Sequence, residues 1–394
     1  MNISDRDRFN ATSHFERPGD LMLLTPDFND FWPETLQSWA RHDGPEQILN
    51  SRFRGDYLQF THHRVLREIR TGFDSDREND IGADALYVYA IPPIDPVYQT
   101  MVIKHEEHTI TVLNEGGQTV RVFEDNPQKM PTYLDHPVKD RASWEEYKKR
   151  LDPNSPGRLP ADWDDYVKKM NSKTEPVRLN VGSFFGFLRE WMGLERLLYM
   201  FHDDPVLVED MMEQVCLLEE ECLKRILKDL KVDFAFFWED MCFKTGPLIS
   251  PAMFKKFMVP RYKRVTDILH SHGIDSIWVD SDGNITELIP LWLEGGVNGF
   301  SPLEVAAGND AVGLRKKYGR DVLLGGNMDK RAVIKGKEAI REEVMSKLPY
   351  LLEQGGYFPS VDHLVPPDTS WENYIYFINT MREVAGLEKL PSAA

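Results

Sequence analysis

The chain has 394 residues, 41% of them apolar and 28% charged, enough for one large α/β domain with a dry core. Its formal net charge of −17 argues against nucleic acid, whose phosphates demand clustered Lys and Arg. It equally disfavours adsorption to an anionic membrane surface.

The opening stretch, MNISDRDRFNATSHFERPGD, is polar and carries both signs of charge, so no secretory signal is expected. No window approaches the roughly 20 apolar residues of a membrane span. The first 150 residues are irregular. Within them HTITVLNEGGQTVRVFED alternates apolar and polar positions around Asn114–Gly117, which predicts a β-hairpin at about residues 102–124, inserted as a lid. His105 and His108 lack metal spacing on a helix and are expected to be solvated, as are the residues of THHR, Thr61–Arg64. A Pro-rich connection, LDPNSPGRLPADWDDY, leads into the regular part.

From about residue 175 to 387 apolar runs alternate with amphipathic helices. VRLNVG (177–182), VDFAFFWED (232–240), DSIWVD (275–280), VNGFS (297–301), DVLLGGN (321–327) and GGYFPSVDH (355–363) read as strands. They are near-continuously apolar, the habit of parallel strands covered on both faces. Between them a helix begins at Asp204-Pro205 and another at Ser250-Pro251, the latter kinked at Pro260 and stopped at Gly273. Asn284 with Glu287 three positions on predicts a capped helix start. Cys216 and Cys222 are six apart on one helix, nearly opposite across its axis, and are expected in the core. With Cys242 they make an odd number of thiols, which fits a reducing cytoplasm. Repeated strand–helix units predict one (β/α)₈ barrel spanning residues 1–394.

In such a barrel chemistry gathers beyond the C-terminal ends of the strands. Glu239, Asp240 and Cys242 fall there, as do Asp280 and Asp282, Ser301 and Glu304, Asn327 and Asp329, then Asp362 and His363. Phe184, Phe185 and Trp238 surround that mouth. Residues two apart on an extended segment share a side, so Asp280 and Asp282 can present two carboxylates to one point. With His363 they could hold a divalent cation, zinc or a harder metal. Without metal, crowded acids split their pKa values and one becomes a proton donor. The plainer alternative makes Asp282-Gly283 a turn and Asp280 a cap for backbone N–H groups. His270 and His272, in the last turn of a helix, suit its dipole. No Walker, dinucleotide, nucleophile-elbow or H-E-x-x-H pattern occurs.

Three stretches, SPAMFKKFMVPRYKRVTDILHSHG, GGNMDKRAVIKGKEAIREEV and GGYFPSVDHLVPPDTSWEN, come in an order and spacing that resembles the uroporphyrinogen decarboxylase superfamily. The resemblance implies a TIM barrel and two activity classes. True decarboxylases act on the acetate side chains of a tetrapyrrole, and resemble one another in an N-terminal R-Q-A-G-R-type segment. ERPGDLMLL stands in its place here. The other class is corrinoid-linked methyltransferases, whose thiol-methylating members hold zinc with H-x-C and a later Cys. Asp280-Ser281-Asp282 and His363 occupy those positions, exchanging soft sulfur for oxygen and nitrogen.

The expectation is therefore a cytoplasmic methyltransferase that takes a methyl group from a small methoxylated or methylated compound. Asp280, Asp282 and His363 would hold a divalent metal, possible as zinc. Glu239 and Asp282 would be catalytic, and Phe184, Trp238 and Asn327 would contact substrate. Cobalamin would arrive on a separate corrinoid protein, since no D-x-H-x-x-G motif is present. One alternative is a decarboxylase of a tetrapyrrole or other polycarboxylate, with Arg189, Arg261 and Arg331 gripping the acids. The other is a non-catalytic ligand-binding barrel.

Overall fold

The computed structural model describes residues 3–25, 31–62, 64–66, 94–124 and 130–390. Seven parallel strands form the main sheet, in the spatial order Tyr357–Val361, Leu323–Met328, Gly299–Ser301, Ile277–Asp280, Phe234–Trp238, Val177–Gly182 and Arg64–Leu66. A second parallel pair, Leu24–Thr25 with Thr61–His62, adds the first strand of the chain. This is a TIM barrel, with helices between successive strands. Among the described residues no ladder closes it between Tyr357–Val361 and Leu24–Thr25; an isolated parallel bridge joins Phe31 to Val365.

Helix starts follow the predicted chemistry. Asp204 accepts the N–H of Leu207 at 3.0 Å ahead of the helix Pro205–Ile226, and Ser250 accepts that of Met253 at 3.2 Å. The segment around Pro260 breaks at Met258 into Pro251–Phe257 and Val259–Ser271. One start is different. The helix expected from Asn284 begins only at Ile289, because Pro290 sets the first turn; Asn284 instead accepts the N–H of Thr286 and donates to the carbonyl of Ala307.

Two cores result. The larger lies between strands and helices and holds Leu179, Phe237, Val279, Leu324 and Val361, together with Cys216 and Cys222. The smaller fills the barrel itself with Phe234, Phe236, Trp278, Leu323 and Phe358. Phe9, from the helix Asp5–Ser13, plugs its lower end with ring centroids 4.6 Å from Phe234 and 5.4 Å from Phe358. Arg6 fixes that helix beneath the barrel through Asp233 at 2.8 Å.

The predicted hairpin is part of something larger. Met101–Glu106, Thr109–Leu113, Thr119–Phe123 and Thr132–Asp135 make a four-stranded antiparallel sheet with its own small core of Ile110, Val112, Val120 and Val122. It is tied to the helix Gly186–Met192, where Gln118 donates to the Glu190 carboxylate at 2.7 Å. His105 and His108 are exposed upon it, as expected. The expectation for Thr61–Arg64 concerns side chains outside the described residues. No described helix is long and apolar enough to cross a membrane.

Candidate active site

The strand ends do converge, and backbone contacts lock them. Glu239 donates its N–H to the Asp280 carbonyl at 2.9 Å, and Met241 donates to the Ser281 hydroxyl at 3.1 Å. Ser281 in turn donates its N–H to the Ser301 carbonyl at 3.2 Å. Asp240 adopts φ +46, a left-handed conformation that costs a non-glycine residue energy and marks the turn as over-determined by its surroundings. Gly283, at φ +78, is required for a second reason: a Cβ there would stand 2.5 Å from the Cys242 carbonyl oxygen.

The loop bearing Asp282 therefore packs directly on the hairpin of Cys242–Phe243 and Gly246–Pro247. Between them opens a cleft of about 310 Å³, lined among others by Arg189, Asp240, Phe243, Lys244, Asp282 and Glu304. His363 reaches Asp282, with Nε2 3.4 Å from Oδ2, and stacks against Trp32 on another side at a centroid distance of 6.5 Å. The hydrogen bond to Asp282 raises the pKa of its ring from 6.5, against the opposing effect of burial.

Asp280 sits deeper. Burial, then the carboxylates of Asp240 and Asp282, push its pKa well above the usual carboxyl range, while Arg178 and Arg189 pull it back. Some of its surface still reaches solvent. Asp240 is raised too, by burial first and then by Asp282. Arg189 counters both, donating to the Asp240 carbonyl at 2.7 Å and lying 5.0 Å above the Trp238 ring.

These positions correct several expectations. Glu239 is fully buried, and its carboxylate accepts from five donors: the Ser183 and Tyr262 hydroxyls at 2.8 and 2.5 Å, and the N–H groups of Phe184, Phe185 and Gly186 at 3.0, 2.7 and 3.4 Å. It anchors the start of the helix Gly186–Met192, and its lone pairs are committed there rather than to substrate or metal. Phe184 packs in the core against Tyr262 at 5.0 Å and is not among the residues lining the cleft. Asn327, at φ +63 and fully buried, ties three loops by accepting from Ala311 and donating to Leu303 and Asn309. Asp362 likewise accepts two backbone N–H groups, from Val305 at 2.9 Å and Lys330 at 3.0 Å. Trp238 lies beneath Arg189 and is not among the residues lining the cleft.

The fit to a metal fails in this arrangement. Among the described residues no group of three His, Cys, Asp or Glu side chains stands close enough to hold one ion. Asp282 and His363 pair with each other, while Asp280 is drawn into the charge cluster with Asp240 and the two arginines.

The uroporphyrinogen decarboxylase (URO-D) model matches residues 109–384. The chain belongs to that family. A curated uroporphyrinogen decarboxylase from Carboxydothermus hydrogenoformans is 26% identical over 149 residues, 35% of this chain and 38% of that protein, so the chain matches well under half of this relative's length. A methyltransferase from Methanosarcina mazei superimposes with a TM-score of 0.57 over 97% of this chain and 99% of its own, at 11% identity, a likeness of fold alone.

Within this URO-D barrel, sequence reasoning missed Trp32 and Arg178 and undervalued Asp240. Arg178 carried a legible signal, a charge inside the apolar run VRLNVG. It lies buried with its guanidinium 4.5 Å over Phe236, and burial lowers its pKa to about 9, with Asp280 opposing. Trp32 had no signal, since nothing local links it to a residue more than 300 positions away.

Proposed function

We propose that this URO-D protein is a corrinoid-dependent methyltransferase, which takes a methyl group from a small methoxylated or methylated compound. The observation that carries the reading is the contact of His363 with Asp282 beside an open, acid-rich cleft. When a methyl–oxygen bond breaks in transfer to a nucleophile, the electron pair stays on oxygen and the departing alkoxide needs a proton. An imidazolium oriented by a carboxylate is suited to give it. Asp282 favours the charged form of the ring and fixes its direction, and Trp32 packs beside it. Cobalamin, when brought by a partner protein, supplies the nucleophile that accepts the methyl group. No step is assigned to a metal, because the donors do not converge on one point.

The lining weighs against a polycarboxylate substrate. Three carboxylates, Asp240, Asp282 and Glu304, face two cations, Arg189 and Lys244, and Arg189 is already paired with Asp240. Arg261 is buried against Glu213 at 3.2 Å, and Arg331 pairs with Asp329 at 2.8 Å. Neither is among the lining residues.

The test is methyl transfer from a panel of methoxylated and methylated compounds to cob(I)alamin, followed by absorbance. Transfer is expected with the native protein, and His363→Ala should lower kcat by about 100-fold or more, the usual weight of a proton donor. Release of CO₂ from a polycarboxylate, with no transfer from any compound of the panel, would overturn the reading.

A further inference from the structure

Three of the strand-end loops each place a carboxylate around the His363–Asp282 contact: Asp282 itself, Glu304 and Asp362. Methyl transfer as described above gives a task only to the first. Their contacts run in a circle. Glu304 Oε2 accepts the N–H of Gly283, the residue after Asp282, at 3.0 Å. Asp362 Oδ2 accepts the N–H of Val305, the residue after Glu304, at 2.9 Å. Asp282 Oδ2 stands 3.4 Å from Nε2 of His363, the residue after Asp362. Each carboxylate thus holds the chain neighbour of another.

Two links of this circle are ordinary hydrogen bonds and the third is long. Charge-assisted N–H···O bonds are closest at roughly 2.7–2.9 Å, so the 3.4 Å contact is not what draws the loops together. The other two links set the separation of imidazole and carboxylate. Both are braced. Asn309 donates to the carbonyls of Gly283 and Glu304 at 2.8 and 3.1 Å. Asp362 takes a second N–H, from Lys330, at 3.0 Å. Leu303, just before Glu304, has φ +57, a left-handed backbone conformation held by the Asn327 amide on its carbonyl at 2.7 Å. Glu304 is the link most open to test. Its side chain is 21% exposed, it lines the cleft, and its Oε1 faces the Lys330 ammonium at 3.5 Å.

We infer that Glu304 is a positioning residue, whose carboxylate closes this circle through Gly283 and so sets where Asp282 meets the ring of His363. The inference rests on the methyl-transfer reading for its catalytic consequence, and on the contacts alone for its geometry. What the link needs is an oxygen at the right reach rather than a charge, because the group it holds is a neutral backbone N–H. Loss of the link frees the loop at Gly283, and a proton donor displaced by about 1 Å can cost on the order of 100-fold in rate.

The experiment compares Glu304→Ala, Glu304→Asp and Glu304→Gln in the full chain. Asp keeps the charge and falls one carbon short of Gly283, whereas Gln keeps an oxygen at full reach and loses the charge. With 2-methoxyphenol or methanol as methyl donor to cob(I)alamin, Ala and Asp should lower kcat about tenfold or more and leave KM within about twofold, while Gln should stay within about threefold of native. In a His363→Ala background Glu304→Ala should add less than about twofold, since nothing is left to position. A raised KM with kcat retained would make Glu304 a substrate contact, and equal losses in both backgrounds would make its effect independent of the pair. Either overturns the inference, as does a native-like Asp variant beside an impaired Gln. If the Ala variant does not fold, the contrast of Asp with Gln carries the same test. Nuclear magnetic resonance of the His363 ring, its signals identified by their loss in His363→Ala, needs no methyl donor. Those signals should move in Ala and Asp and stay in Gln. If they do, and no compound of the panel transfers a methyl group, the circle stands and methyl transfer falls. Signals that stay in Ala and Asp overturn the positioning role, whether or not methyl transfer occurs.

Discussion

His363 titrates in a setting that gives its pH dependence a definite sign. The hydrogen bond to Asp282 is the main reason its pKa lies above 6.5, with burial opposing. The imidazolium is therefore favoured by the fold. That contribution is complete below 6.5 and is lost as pH rises through the raised value. A step that needs the proton should slow along an alkaline limb placed above 6.5. Asp282→Asn keeps the shape, removes the charge, and should carry that limb down toward 6.5 in a kcat–pH profile. A limb that stays where it was would show that another group supplies the proton. This pair was partly legible: the sequence put both residues at strand ends, but a hydrogen bond between positions 282 and 363 has no local signature.

At the level of elements, Glu239 shows how a residue of the right type in the right place can have a different task. Its position after an apolar strand made it a candidate acid. Its surroundings make it the anchor between two barrel strands, because the turn Ser183–Gly186 aims three N–H groups and a hydroxyl at one point. Glu239→Ala would leave those buried donors unpaired and should cost on the order of 3 kcal/mol, read from urea unfolding. The helix at Ile289 teaches the converse lesson. Asn284 and Glu287 have the spacing of a cap, yet the rigid ring of Pro290 fixes where the first turn can begin. Strand centres were predictable because each buries a run of large side chains on both faces. Strand ends were less so, since the ladder frays where the loops take over.

For the whole molecule, the barrel interior is aromatic and is finished by a residue from outside it. Phe9 is wholly buried between Phe234 and Phe358, though it comes from a helix that is polar along most of its length. Phe9→Ala should open a cavity at the barrel floor and cost about 3–5 kcal/mol, measured by denaturant titration. Activity per folded molecule should be retained, because the plug lies at the end opposite the cleft.

By itself the sequence determined the architecture: alternating apolar runs and amphipathic helices, with acids after the strands, leave few other ways to bury both faces of a parallel sheet. The order of those acids along the chain was equally plain. What only the tertiary structure decided was their company. Burial and hydrogen bonding act through space, so the same carboxylate becomes a helix anchor at Glu239, a charge held up by its neighbours at Asp280, and the orienting partner of an imidazole at Asp282.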